Sequence, residues 1–223
     1  MRKQYDIELS ELNTNLIEMA AYVERAVADS LQALKDRDKE LAVEVSRNDR
    51  SVNRMERKIE DMCLMLLLRQ QPVAGDLRFI SAALKIITDL ERIGDHAQDI
   101  CEISLSMDDK PLAVTPDTID KMYEESSTMI KMAIDAFITK DEDLARQCIA
   151  HDNIVDSLFV DTRNTIVEAL QAKQGDAEEL IDLLQIAKYL ERVGDHAQNI
   201  GEWVIFSITG HHRDYLGVET FGV

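Results

Sequence analysis

A chain of 223 residues with 45% hydrophobic side chains can bury a proper core, as one large or two small domains. Three prolines, eight glycines and few aromatics, against abundant Leu, Ile, Ala, Glu and Asp, are the composition of a helical protein. A formal net charge of −18 counts against DNA, RNA or an anionic membrane face as a direct partner, and suits cations or basic protein surfaces.

The first helix is expected from about Asp6 to Lys35, where Leu9, Leu12, Leu16, Met19, Val23, Val27, Leu31 and Leu34 keep the three-and-four spacing of one face. Asp36-Arg37-Asp38 breaks it. A second helix runs to about Arg69 and ends at Pro72 and a Gly75-Asp76 turn. Asp76 is the expected N-cap of a third helix, reaching to about Leu105. The stretch from Ser106 to Pro116 reads as a linker, with Thr115 as N-cap and Pro116 as first residue of a fourth helix. A fifth follows over about Asp141 to Lys173. The sixth runs from Asp176 to about Thr209, opened by a capping box of Asp176 with Glu179.

The expectation is therefore all-α, a tandem repeat of two three-helix bundles: residues 1–106, a linker over 107–116, residues 117–210, and a C-terminal tail at 211–223. No transmembrane segment or signal-peptide core is evident. Three cysteines of uneven spacing make no disulfide framework and belong in the core, so the cytoplasm is the expected compartment.

The repeat is explicit. LERIGDHAQ, Leu90 to Gln98, returns as LERVGDHAQ, Leu190 to Gln198. Upstream, Asp38-Lys39-Glu40-Leu41-Ala42 aligns with Asp141-Glu142-Asp143-Leu144-Ala145, and the change of offset falls where the loop before Asp76 shortens before Asp176. In the third helix the stripe Leu77, Ile80, Leu84, Ile87 should face the bundle interior, yet it continues as Glu91, Asp95, Gln98 and Glu102. In the sixth, Leu180, Leu184 and Ala187 lead into Glu191, Asp195 and Gln198. The second helix carries Asp49, Asn53, Glu56 and Glu60 after Ala42 and Val45, and its copy carries Asp152 and Asp156 before Phe159. A hairpin turn near residue 73 would oppose Glu56 to Glu91, Asn53 to Asp95 and Asp49 to Asp99.

Carboxylates turned toward one another in a partly dry space must be protonated, paired or bridged by cations. A carboxylate-only cluster suits hard cations: Mg²⁺, Mn²⁺, Ca²⁺ or iron. His96 and His196 lie well round the helix from this stripe and are expected as hydrogen-bonders between helices or at the surface rather than as ligands. Gly94 and Gly194 border the stripe, where a missing side chain lets a helix or solvent approach. A single acid pair at this spacing is ordinary decoration of a solvated helix; its duplication on a core-facing stripe points to a cation site.

Arg69-Gln70-Gln71-Pro72-Val73-Ala74-Gly75-Asp76-Leu77-Arg78, followed by Asp89 to Ala97, resembles the pattern of the PhoU family of phosphate-uptake regulators. The resemblance covers the whole chain. It implies metal ions (iron, manganese, zinc or magnesium) held by Asp49, Glu56, Glu91, Asp95 and Asp99 in the first half and by Asp152, Asp156, Glu191 and Asp195 in the second. Asn53, Phe159 and Asn199 depart from the pattern and each removes a charge, so the two sites should differ, with the second the poorer. The resemblance also implies a cytoplasmic negative regulator that pairs as a homodimer. It would link the ATPase of a phosphate-specific ABC transporter to a sensor histidine kinase, reaching the inner membrane only through such partners. No catalytic residue is implied. The competing readings are a carboxylate-bridged metalloenzyme, either a di-metal oxidase or a phosphatase, and a purely structural adaptor with salt-bridged acids. A Glu-x-x-His pair, which di-iron bundles use, is missing: Gly94 and Gly194 stand three residues after Glu91 and Glu191.

Overall fold

A computed structural model describes residues 2–70, 72, 74–107 and 116–211. Six helices account for its regular structure: α1 (Arg2–Asp36), α2 (Lys39–Gln70), α3 (Ala74–Ser106), α4 (Asp117–Thr139), α5 (Glu142–Gln171) and α6 (Ala177–Thr209). The fold is all-α and built as a tandem repeat. One device turns the first hairpin of each half. Arg37 (φ 56°) and Lys140 (φ 55°) adopt the left-handed conformation that stops a helix. The next residue, Asp38 or Asp141, then starts the following helix, its Oδ1 accepting from Leu41 N at 3.0 Å or Leu144 N at 2.9 Å. Connections this short force antiparallel neighbours.

The apolar face of α1 is buried as its spacing predicts, from Leu12, Leu16 and Met19 through Val23, Val27, Leu31 and Leu34. The three cysteines are buried as well. The core does not stop at the repeat boundary. It runs on through Ile130, Phe137, Ile186 and Leu190, because α3 packs along α6 and α1 touches α4. Phe79 stacks on Phe137 with ring centroids 4.4 Å apart. Arg37 donates to Glu179 at 2.7 Å, and Glu24 accepts from Lys131 at 2.9 Å and Ser127 at 3.0 Å. These contacts fix the two halves against each other, which sets what faces what at the site.

Several sequence expectations shift. Helix α3 begins at Ala74, so Asp76 sits in its first turn, where its charge still favours the helix dipole, and is not the cap. Pro116 is the N-cap of α4 with extended ψ of 124°, so the helix begins at Asp117, one place later than expected. Thr115, Gln71, Val73, most of the linker (108–115) and the tail from 212 lie outside the described residues. Asp176 caps α6 as expected, accepting from Glu178 N at 2.8 Å and Glu179 N at 3.4 Å. The reciprocal arm of the capping box is given up, since Glu179 turns to Arg37. Leu77 is 46% exposed and Leu84 only partly buried, whereas Ala83, Ile86, Leu90 and Ile93 are fully buried. The buried arc of α3 is rotated from the expected stripe because α6 covers a second side. No helix among the described residues is long and apolar enough to cross a membrane.

Candidate metal centres

The acidic stripes of α2 and α3 meet, with Glu56 near Glu91 as the hairpin register predicts but with Asp49 near Asp95 rather than Asp99. Burial first, then the neighbouring Asp95 charge, pushes the Asp49 carboxyl above its ordinary range. Burial raises Glu91 too, with Asp95, Glu56 and Asp49 adding repulsion, and it raises Glu56 with help from Glu60 and Asp95. Four of the five first-half candidates therefore form one electrostatic patch. Part of its charge is compensated from within. Asn53 Nδ2 donates to Asp49 Oδ2 at 2.8 Å, and Arg92 reaches Asp95 at 3.0 Å and Glu91 at 3.5 Å. Asp49 Oδ1 is buried and has no partner.

Asp99 does not join this patch. Successive residues four apart drift by roughly 40° on a helix of 3.6 residues per turn, so two such steps carry Asp99 away from Glu91 and toward α6. There it pairs with His96 Nδ1 at 3.4 Å.

In the second half the equivalent patch is drier and less compensated. Asp152 is 7% exposed and its Oδ1 is buried without a partner. Burial first, then Asp156, Asp195 and Glu191, raise its carboxyl to about 6. Asp195 is raised by burial and Glu191, against the pull of Lys188. Glu191 takes an ion pair from Lys188, whose ammonium also lies 5.3 Å from the centroid of the Phe159 ring. Asp156, opposite the partly buried Asp195, is exposed. The missing side chains of Gly94 and Gly194 are what bring the helices this close: a Cβ on Gly94 would meet Val52 at 3.2 Å, and one on Gly194 would meet Asp152 Oδ1 at 3.2 Å and Val155 at 3.3 Å.

The donor sets fit the hard cations expected for them. They are carboxylates alone, mutually repelling, and each patch contains an orphaned, buried aspartate oxygen. Among the described residues no three His, Cys, Asp or Glu side chains converge as a ready-made cage. A bound ion would replace the Arg92 and Lys188 contacts as the compensating charge.

The duplicated motif also meets itself. Where α3 crosses α6 the two copies line a shared cleft of ≈ 790 Å³, which Asp95 and Asp195 border together with His96, Asp99, His196 and Asn199. The two imidazoles lie 5.5 Å apart, and His96 also stacks on Tyr189 at 5.4 Å. His196 Nδ1 pairs with Asp89 across the repeats at 2.8 Å, and Asn199 donates to the same oxygen at 3.4 Å. His196 is thus the inter-helix hydrogen-bonder expected of it. His96 is 6% exposed with Nε2 unpaired, and burial, then the neighbouring His196 and Arg192, hold its pKa down against Asp99. Asp89 and Lys188 were not singled out from sequence. The available signal was that their equivalents, Tyr189 and Thr88, break an otherwise faithful copy.

Comparison with known proteins converges on one family. A family model described as "PhoU domain" matches residues 16–104 and again residues 119–204. A Clostridium acetobutylicum protein named "Phosphate-specific transport system accessory protein PhoU homolog" is 33% identical over 214 residues, spanning 96% of this chain and 98% of its own length. The crystal structure of PhoU from Pseudomonas aeruginosa matches with a TM-score of 0.85 at 32% identity, over 93% of this chain and 100% of that one. That of the phosphate transport system regulatory protein PhoU from Streptococcus pneumoniae matches with a TM-score of 0.86 at 26% identity, over 93% and 98%.

Proposed function

The chain belongs to the PhoU family, and from that premise we propose that it is an accessory protein of phosphate transport acting as a negative regulator of uptake and of the phosphate-starvation response. It does so as an adaptor, docking to the ATPase of a phosphate-specific ABC transporter and to a sensor histidine kinase, and it works as a homodimer in the cytoplasm. The observation that carries this reading is agreement over nearly the whole chain, in sequence and fold, with proteins named for that system. The acidic patches serve as regulatory or structural cation sites. Asp49, Glu56, Glu91 and Asp95 hold ions in the first half and Asp152, Asp156, Glu191 and Asp195 hold them in the second, while Asp99, paired with His96, takes no part. A bound ion supplies the positive charge that lets α2–α3 and α5–α6 close on their acids; the protein's own part is to hold the carboxylates in a packed helical frame.

A strain lacking the protein is expected to take up phosphate and express starvation genes in phosphate-rich medium. Normal repression there would overturn the regulatory reading. The enzyme alternative keeps one point in its favour, because a carboxyl raised to about 6, such as Asp152, has the pKa of a general base. Hydrolysis of a phosphate ester, lost in Asp152→Asn, would be its signature.

A further inference from the structure

Asp49 and Glu56 of α2 are partly buried against α3, and the exposed face of the helix carries something the second repeat lacks. Arg47, Arg50, Arg54 and Arg57 stand at i, i+3, i+7 and i+10, one stripe along the helix, and all four are exposed. They surround a hollow of ≈ 630 Å³ whose other lining residues are Asn48, Ser51 and Asn53, with no carboxylate among them. None of the four forms an ion pair with a described carboxylate; Arg54 instead donates to Ser51 Oγ at 2.8 Å and to the Arg50 carbonyl at 3.2 Å. In a chain of net charge −18 four arginines on one exposed stripe stand out, although Arg57 offsets part of the charge of Glu56. The equivalent positions of α5 are Ala150, Asn153, Ser157 and Val160, so the duplication does not require it.

Toward the C-terminal end of α2 the same face turns apolar. Leu64 is 45% exposed, Met65 41% and Leu68 78%. Met62, Met65 and Leu66 help line a second hollow, of ≈ 620 Å³, that shares Arg54 and Arg57 with the first and is also lined by Lys58, Arg69 and the carboxylates Glu8, Glu11 and Asp61. The two make one groove along the helix, basic at one end and mixed at the other, where exposed Leu64 and Leu68 lie beside it.

We infer that this face of α2 is the docking groove for an acidic, amphipathic helix of a protein partner, its carboxylates on the arginine stripe and its apolar residues on Leu64, Met65 and Leu68. Arginine with methionine and leucine is the composition of protein interface centres, and the guanidinium fork matches carboxylates. A helix lying in a groove is an established mode of recognition. An anionic bilayer fits less well: it is flat where the groove is hollow, and the rest of the chain would be repelled by it.

The test is photo-crosslinking from benzoylphenylalanine placed at Ser51 or at Leu68 of the full chain in its host cell, with controls at Ser157 and Gln171 on α5, and adducts mapped to peptides by mass spectrometry. Adducts from both α2 positions should fall on one acidic helix of one protein. They should drop at least about tenfold in Arg50→Glu with Arg54→Glu, and return when two acids of that helix are changed to Arg. Far-UV circular dichroism and the thermal midpoint identify a variant that fails to fold, and Arg50→Gln with Arg54→Gln then replaces it. Adducts to a second copy of this chain, adducts to lipid alone, adducts indifferent to charge reversal, or none above the α5 controls would each overturn the inference. Because the crosslinked protein is identified directly, the outcome is read separately from whether the chain regulates phosphate uptake.

Discussion

In the first repeat an amide holds an aspartate; in the second an aspartate repels one. Asn53 donates to Asp49 at 2.8 Å, whereas its equivalent, Asp156, has no hydrogen to give and adds its charge to those that raise Asp152. Cation placement differs as well. Arg92 bridges Glu91 and Asp95 in the first half, and Lys188, with Phe159 beneath it, pairs with Glu191 in the second. Two copies of one motif thus sit in different fields because the facing helices diverged, and the field rather than the motif decides how strongly each patch demands a positive ion. Counting carboxylates does not make the second site the poorer: with Asp99 outside the first patch each half has four, because Asp156 offsets the loss of Glu56 to Phe159. Both patches hold an orphaned aspartate oxygen, and the deeper burial of Asp152 gives the second the greater unmet need.

The glycines give the largest expected break in the comparison. Alanine at either position gains about 1 kcal/mol of helix propensity. At Gly194 the new methyl meets Asp152 Oδ1 and Val155 together, whereas at Gly94 it meets Val52 alone. Overpacking costs about 1–3 kcal/mol, so Gly194→Ala should lower the unfolding free energy by about 1–2 kcal/mol in urea titrations while Gly94→Ala stays near neutral. Equal effects would mean that the two helix crossings are equivalent.

Similar in size is the release of Asp152. In chelated protein at pH 7, Asp152→Asn should stabilise by about 1–2 kcal/mol, because an amide bears no charge to desolvate. The sign follows from the raised pKa: the folded state binds the proton more tightly than the unfolded one. The penalty is therefore absent below the ordinary value of 3.8, grows as pH rises toward about 6, and is full above it. Midpoint against pH, compared between wild type and Asp152→Asn, should diverge across that window; parallel curves would show that Asp152 carries no penalty.

The smallest effect should come from converting the first patch toward the second. Asn53→Asp removes the donor to Asp49 and adds a like charge, costing chelated protein about 0.5–1.5 kcal/mol. The loss should be recovered on adding Mn²⁺, read as a rise in melting temperature larger than in wild type.

Much of this was legible without coordinates. Helix α1 has one partner face and its spacing shows, and the acidic stripes were visible because acids follow apolar residues on one line. The orientation of α3 was not. A helix buried through Ile80, Ala83, Ile86, Leu90, Ile93 and Ala97 is apolar on more than one side, which reads as a broad stripe whose centre no single periodicity fixes. That is why Leu77 was placed inside and Asp99 beside Asp49. The pairing of His196 with Asp89 depends on how α3 lies on α6, a relation between repeats that a pattern within one repeat cannot encode.

The central claim, that both acidic patches are cation sites, is tested most directly by elemental analysis of protein purified without chelator, wild type beside Asp95→Asn, Asp195→Asn and the double variant. Wild type should carry stoichiometric metal, Asp195→Asn should lose more of it than Asp95→Asn, and the double variant should hold none. Absence of metal from wild type, even after incubation with iron, manganese, zinc and magnesium, would contradict the claim and leave the carboxylates as salt-bridged structure.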